Sequence, residues 1–159
     1  MKVTIISVGS IKEKYLKDAI DEYSKRLSKY CILEHIVVKD EGIPQNSSDK
    51  LNLEIKEKEG KRIIEALNMK SYKIALNLKG EMLSSEQLAE KMAKVGLYAA
   101  SHITFIIGGS LGLANSVLSL MDYHLCFSKM TFPHQLMKVI LLEQIYRAYK
   151  INNNETYHK

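Results

Sequence analysis

The chain has 159 residues, of which 46% are hydrophobic and 26% are charged, so it is too apolar for an intrinsically disordered protein and long enough to bury the core of one domain over residues 1–159. Its 23 lysines and arginines exceed its 18 aspartates and glutamates, and the resulting formal charge of +5 favours polyanionic partners but is equally common on solvated surfaces. No apolar run reaches the length of a secretion signal or a membrane span, so we expect a cytoplasmic protein with no membrane partner.

The first half of the sequence alternates between strand and helix patterns. A nearly continuous apolar run predicts a first strand over residues 2–8. Apolar side chains at helical spacing over residues 16–30 predict a helix with one buried stripe. Residues 31–38 predict a second strand, and a charged helix over residues 51–68 follows a polar loop.

The second half continues the alternation. Residues 72–78 predict a third strand, and the sequence Ser-Ser-Glu-Gln at residues 84–87 supplies the capping chemistry of a helix start. Residues 102–107 and 123–127 predict the fourth and fifth strands. Strands rich in isoleucine and valine and separated by helices indicate an α/β fold with a parallel sheet that is covered on both faces.

Two loops in the last third of the chain indicate a small-molecule site. Residues 108–112, Gly-Gly-Ser-Leu-Gly, follow a buried strand, where glycines let the backbone approach a ligand. Residues 127–134 lead through Pro133 into a helix, whose first N–H groups are free to bind. The glycine turn is not the dinucleotide fingerprint, and the chain has no phosphate-binding loop and no metal-ligand spacing, so we expect no metal.

The final helix is apolar on nearly all sides over residues 136–146. Such a helix must be buried on more than one side. We expect its second side to contact another copy of the chain, and the alternative is a helix in the centre of the core. Glu143 and Arg147 lie one turn apart and are placed to form an ion pair.

Several segments in fixed order resemble one known family. Ile-Ile-Gly-Gly at residues 106–109, Met-Thr-Phe-Pro-His-Gln at 130–135, Glu-Gln-Ile-Tyr-Arg-Ala at 143–148 and the final Tyr-His-Lys at 157–159 resemble the ribosomal RNA large subunit methyltransferase H family, of the SPOUT class. Residues 1–9 and 76–80 also match. The resemblance therefore covers the whole chain.

The resemblance implies a parallel-sheet SPOUT methyltransferase fold with a C-terminal trefoil knot, which no periodicity predicts because threaded chains are so rare. It implies a homodimer that transfers a methyl group from S-adenosylmethionine to N3 of a pseudouridine in helix 69 of 23S ribosomal RNA, within the assembled ribosome. Two alternatives stay open: a noncatalytic ribosome-binding factor with the same fold, and a SPOUT methyltransferase that acts on transfer RNA.

The resemblance also assigns cofactor-binding residues. They fall at the end of the third predicted strand, in the glycine turn and in the loop before Pro133: Leu76, Gly108, Phe127, Ser128, Lys129, Met130, Thr131 and Phe132. An apolar cleft there would hold adenine, and backbone groups of the loops would bind its edge.

Catalytic and RNA-binding candidates lie mostly near the C-terminus. His158 is the candidate proton acceptor or the group that orients the base, and Tyr157 is placed to stack on the nucleobase. For both residues the alternative is that they only anchor the tail. The candidate contacts to RNA phosphates are Lys129, Lys138, Arg147 and Lys159.

Overall fold

The structure, a computed structural model, describes residues 1–159. The strands are β1 (Lys2–Val8), β2 (Ile32–Val38), β3 (Tyr72–Met82), β4 (His102–Ile107) and β5 (Tyr123–Cys126). The helices are α1 (Lys14–Leu27), α2 (Asp49–Ala66), α3 (Ser85–Tyr98), α4 (Asn115–Leu118) and α5 (His134–Asn152). Only the four-residue α4 was not predicted. None of the helices has both the length and the apolar composition that crossing a membrane requires.

The five strands form one parallel sheet in the order β2-β1-β4-β3-β5. β1 pairs with β2 without a register shift, from the pair Lys2–Ile32 to the pair Val8–Val38. The predicted α/β class with a parallel sheet is confirmed. Because the strands are parallel, all their carboxyl ends lie at one edge of the sheet, where ligand sites of such sheets form. The trefoil knot stays a prediction.

Alternate residues of the central strands face two separate cores. Val3 and Phe105 lie in the larger core, which α1, α3 and α5 cover. Ile6 and Val8 lie in the smaller core with Ile63 of α2, which α2 and α4 cover. Both faces of β1 and β4 are therefore buried, and this explains the continuous apolar runs in these strands.

Capping side chains set where two helices begin. Ser84 accepts a hydrogen bond from the Gln87 N–H at 3.2 Å, and the Gln87 side chain accepts from the Ser84 N–H at 2.8 Å. This capping box confirms the predicted start of α3. α2 begins two residues earlier than predicted because the Ser48 hydroxyl accepts from the Leu51 N–H at 3.2 Å.

The third strand runs further than the sequence predicts. We expected it to end at Leu78, but β3 continues to Met82 and resumes pairing with β5 after a register shift between Leu76 and Glu81. Gly80 makes this possible, because a Cβ there would lie 2.7 Å from the carbonyl carbon and oxygen of His124. Sequence periodicity could not predict an irregular strand whose pairing depends on a backbone contact across the sheet.

α5 lies over the centre of the sheet, between α1 and α3. Leu141, Leu142 and Ile145 are fully buried in the larger core. The chain after α5 folds back over the outer side of its second half, where Tyr157 packs edge to face on Tyr146 with ring centres 5.0 Å apart. This half of the helix is therefore covered by its own chain.

The Glu143–Arg147 ion pair predicted from the sequence is confirmed, with an oxygen–nitrogen distance of 2.7 Å.

The outer side of the first half of α5 is less covered than that of the second half. Leu136 remains 37% exposed, and Val139 and Ile140 are half-buried. Any contact between α5 and a second copy of the chain would use this first half.

We expect Gly80→Ala to destabilise the protein by about 1 to 3 kcal/mol, because the new methyl group would collide with backbone atoms that cannot rotate away. Gly42→Ala is the matched control, since no atom lies within 4 Å of a Cβ at that position. Urea unfolding measures both free energies. Equal stability of the two variants would contradict the proposed contact.

Candidate active site

A cleft of about 560 Å³ opens beside the middle of β3 and at the carboxyl ends of β4 and β5. Its walls come from the part of β3 where its pairing with β5 shifts, from the end of β4 and the glycine turn that follows, from the end of β5 and the loop that follows, and from the start of α5: Leu76, Asn77, Leu78, Ile107, Gly108, Gly109, Ser110, Leu111, Gly112, Leu125, Cys126, Phe127, Ser128, Met130, Thr131, Phe132, Pro133, His134 and Met137. No lysine, arginine, aspartate or glutamate is among them. The cleft is mostly apolar, with backbone groups of two loops at its walls.

The glycine turn is closed tightly on itself. The Gly112 N–H donates to the Gly109 carbonyl at 3.0 Å, and Gly112 has a φ of +85°, which disfavours residues with a side chain. A Cβ on Gly108 would lie 2.8 Å from the carbonyl carbon of Gly112. Gly108 therefore lets the two arms of the turn meet, and the space beside it stays open to the cleft.

Local hydrogen bonds shape the loop before α5. The Met130 N–H binds the Ser128 hydroxyl at 3.0 Å, and the Cys126 thiol lies 3.1 Å from the Ser128 carbonyl oxygen. Pro133 occupies the N-cap position of α5, and its carbonyl accepts from the Met137 N–H at 3.0 Å. The N–H groups of the first turn before Met137 have no acceptor within the helix and face the end where the cleft lies.

Seven of the eight predicted cofactor-binding residues line the cleft: Leu76, Gly108, Phe127, Ser128, Met130, Thr131 and Phe132. Lys129 is exposed between two of them and is not part of the wall. Sequence reasoning missed six other residues of the wall: Asn77, Leu78, Ile107, Leu125, Cys126 and Met137. Met137 lies one helical turn after Pro133 and therefore on the same face of α5. This spacing was a signal that could have identified Met137, because Pro133 belongs to the predicted loop.

The tail does not reach the cleft within one chain. His158 Nε2 lies 2.6 Å from Glu86 Oε1, and His158 Nδ1 lies 3.2 Å from an Arg147 nitrogen. Because arginine only donates, Nδ1 accepts there and the Nε2–H donates to Glu86. The Tyr157 hydroxyl donates to Glu143 at 2.8 Å. The catalytic candidates and the cofactor candidates are therefore not brought together in this arrangement.

Glu86 is strongly acidic in this position. Its pKa is lowered to about 2, first because a backbone N–H at the start of α3 donates to the carboxylate, and then because His158 and Ser84 also donate. The carboxylate is thus ionised at any physiological pH and is a constant acceptor for the tail. The contact is exposed to solvent, so it holds the tail in place weakly.

One RNA-binding candidate is wrong. Lys138 is only 4% exposed, and its ammonium donates to the Ser7 hydroxyl at 3.2 Å inside the protein, where burial lowers its pKa. From this position it cannot reach a phosphate. The sequence did indicate this burial: Lys138 lies three and four residues before Leu141 and Leu142, so it is on the face of α5 that packs on the sheet.

Comparison with known proteins identifies relatives along the whole chain. A family model described as a predicted SPOUT methyltransferase matches residues 1–158. Two proteins described as ribosomal RNA large subunit methyltransferase H are similar over 100% of both chains, with 60% identity for that of Clostridium novyi (strain NT) and 57% for that of Clostridium perfringens (strain SM101). The fold resembles that of a probable methylase family protein from Haemophilus influenzae Rd KW20, with a TM-score of 0.59, 15% identity, and coverage of 99% of this chain and 70% of that chain.

We expect Glu86→Ala to release the tail without unfolding the protein. Amide hydrogen exchange of residues 155–159 should rise several-fold, while the free energy of unfolding stays close to that of the wild type because the contact is exposed. Glu90→Ala is the control, since Glu90 lies one turn later on α3 and pairs only with Lys94. Unchanged tail exchange in Glu86→Ala would show that other contacts hold the tail.

Proposed function

Because the chain belongs to the SPOUT methyltransferase family, we propose that it transfers the methyl group of S-adenosylmethionine to ribosomal RNA of the large subunit. The observation that carries this proposal is the cleft, which gathers Leu76, Gly108 and Phe127 from three separate segments at one edge of the sheet. Full-length identity of 57% and 60% to proteins described as ribosomal RNA large subunit methyltransferase H supports the same activity.

The cleft fits S-adenosylmethionine in its size and in the chemistry of its walls. A volume of about 560 Å³ lies within the usual range for small-molecule sites. Leu76, Phe127 and Met137 offer apolar surface for an adenine ring, and the two loops offer backbone N–H and C=O groups for its edge. When bound, this cofactor supplies a methyl group that its sulfonium activates for transfer.

The resemblance extends the proposal to a specific nucleotide. We propose N3 of a pseudouridine in helix 69 of 23S ribosomal RNA, within assembled ribosomes of the cytoplasm. Lys129 stands exposed beside the cleft, and Lys159 is exposed at the end of the tail, so both are placed to bind phosphates of a bound RNA. Arg147 carries a positive charge on the same side as the tail, although Glu143 partly neutralises it.

Positioning should contribute more to the rate than proton removal does. Holding the nucleobase nitrogen in line with the methyl group supplies about 7 to 11 kcal/mol, whereas a general base contributes about 10²- to 10⁴-fold, or ~3 to 5 kcal/mol. The walls of the cleft and its loops carry the larger share. His158 is proposed to accept the N3 proton, and Tyr157 to stack on the base.

A catalytic role for the tail requires a change of arrangement. In a single chain, His158 binds Glu86 and Arg147 and does not line the cleft. Either the tail leaves these residues when RNA binds, or the cleft of a second copy lies against it. The first route breaks the solvent-exposed contact of His158 with Glu86, and the second leaves the tail where it lies.

We also propose a homodimer. Leu136, Val139 and Ile140 form a continuous partly exposed strip on the first half of α5, and Tyr15 of α1 is 71% exposed. An unpaired apolar strip on a buried helix is typical of a surface that meets a copy of itself.

The experiment that tests the activity uses ribosomes from cells that lack this protein. Labelled methyl transfer from S-adenosylmethionine is measured on assembled ribosomes, on free large subunits and on transfer RNA. We expect label in the ribosomal RNA of assembled ribosomes. Label in transfer RNA alone would replace the proposed substrate, and no label on any RNA would leave a noncatalytic binding factor.

We expect His158→Ala to bind S-adenosylmethionine with unchanged affinity and to lose about 10²- to 10⁴-fold in turnover, because the residue lies outside the cleft wall but serves the proton transfer. Thr156→Ala is the matched control in the same exposed tail. Calorimetry measures binding, and single-turnover methylation measures the rate. Wild-type turnover in His158→Ala would leave the residue with an anchoring role only.

We expect the wild type to have a solution mass of twice 18.1 kDa at micromolar concentration. The Leu136→Glu variant should have the mass of one chain, because a carboxylate buried in the interface without a partner opposes association. Leu53→Glu is the control, since Leu53 is 56% exposed on α2, on the other side of the sheet. Light scattering distinguishes the two states. A monomeric wild-type protein would contradict the proposed dimer.

A further inference from the structure

Glu59 is a buried carboxylate that the cleft walls do not include. It lies on α2 and is only 5% exposed. One weak hydrogen bond supports it, from the Glu41 N–H to Oε2 at 3.3 Å. No lysine, arginine or histidine lies within ion-pair distance of it. Burying a carboxylate without a cationic partner is unfavourable.

Glu59 is in contact with the glycine turn of the cleft. A Cβ built on Gly109 would lie 3.1 Å and 3.2 Å from its two carboxylate oxygens. Gly109 itself lines the cleft. One residue without a side chain therefore separates this carboxylate from the space where the ligand binds, and any larger residue at position 109 would push the carboxylate away.

The groups around Glu59 do not offer its carboxyl group a cationic partner. Burial raises the pKa of Glu59 most strongly, the hydrogen bond from the Glu41 N–H lowers it, and the nearby carboxylates of Asp40 and Glu41 raise it again. Arg62 acts in the opposite direction, but its guanidinium binds the Glu41 carboxylate and the Lys39 carbonyl. The chain thus places a buried carboxyl group with a raised pKa behind the glycine turn and gives it no cationic partner. A cation bound in the cleft would favour its ionised form.

The proposed cofactor carries the charge that is missing. S-adenosylmethionine has a sulfonium and a net charge of +1, whereas its product, S-adenosylhomocysteine, is a neutral thioether with no net charge. In the transfer, the electron pair of the broken carbon–sulfur bond stays on sulfur, the pseudouridine nitrogen forms the new bond to carbon, and the N3 proton leaves to a base or to water. The ligand therefore loses its positive charge in the cleft.

We propose that Glu59 is an electrostatic positioning residue that makes the cleft prefer the cationic methyl donor over the neutral product, acting through the backbone of Gly109. The proposal rests on the proposed function of the cleft. Since no acidic side chain lines the cleft itself, Glu59 is the carboxylate placed to make this distinction. A preference of this kind lets the methyl donor compete with the product for the cleft between turnovers.

The test compares two ligands on two matched variants by calorimetry. Glu59→Gln removes the charge and keeps the shape, and Glu54→Gln removes an exposed charge from the same helix. We expect Glu59→Gln to bind S-adenosylmethionine about threefold to tenfold more weakly and S-adenosylhomocysteine within twofold of wild type. Glu54→Gln should bind both as wild type does. The free energy of unfolding of the ligand-free Glu59→Gln variant should equal or exceed that of the wild type.

Other results would overturn the proposal. An equal loss of affinity for both ligands, or an unchanged preference, would mean that Glu59 only supports the shape of the turn. If Glu59→Gln does not fold, Glu59→Met gives the same comparison with an apolar side chain of similar length, and Glu59→Asp should restore part of the preference. A wild-type protein that binds neither ligand would instead refute the proposed function.

Discussion

Close contact between backbone segments at a few glycines is the constraint on which the site depends. Gly80 lets β3 pass against the carbonyl of His124 in β5, and Gly108 lets the turn after β4 close on Gly112. The first contact joins β3 and β5, which both contribute to the walls of the cleft, and the second lies in the glycine turn that forms another wall. A side chain at either position would separate these segments. The apolar space between them therefore exists because the backbone is allowed to approach so closely there.

The larger core fixes the second wall of the same cleft. α5 begins at the cleft and then runs across the centre of the sheet, where Leu141, Leu142 and Ile145 have no exposed surface. Burial of three such side chains contributes roughly 1.5 to 3 kcal/mol each, so the helix is held firmly along its length. The loop before Pro133 is thereby tied at one end to the core and at the other to β5, although only local hydrogen bonds shape its middle.

Sequence patterns predicted the features that depend on local chemistry. The bounds of β1 and β4, the capping box of α3 and the Glu143–Arg147 pair all follow from side-chain spacing. The extension of β3 through Gly80 was missed because it depends on a distant backbone contact, whereas the interior position of Lys138 was missed although its spacing from Leu141 and Leu142 indicated it. The two loops of the cleft could be predicted from their glycines and from Pro133, whereas the individual cofactor-binding residues came from a family resemblance, because loop chemistry does not say which residues contact a ligand.

The distribution of charge around the cleft separates binding from catalysis. The walls are uncharged, so they bind a cofactor by shape and by backbone groups, and such contacts act alike on the methyl donor and on its product. Carboxyl groups stand outside them, with Glu59 behind the glycine turn and Glu86 holding the tail at a distance. Only interactions that change as the methyl group leaves can favour turnover. The attraction between a carboxylate one residue away and the sulfonium disappears when the methyl group is transferred, whereas the apolar packing of the adenine does not change.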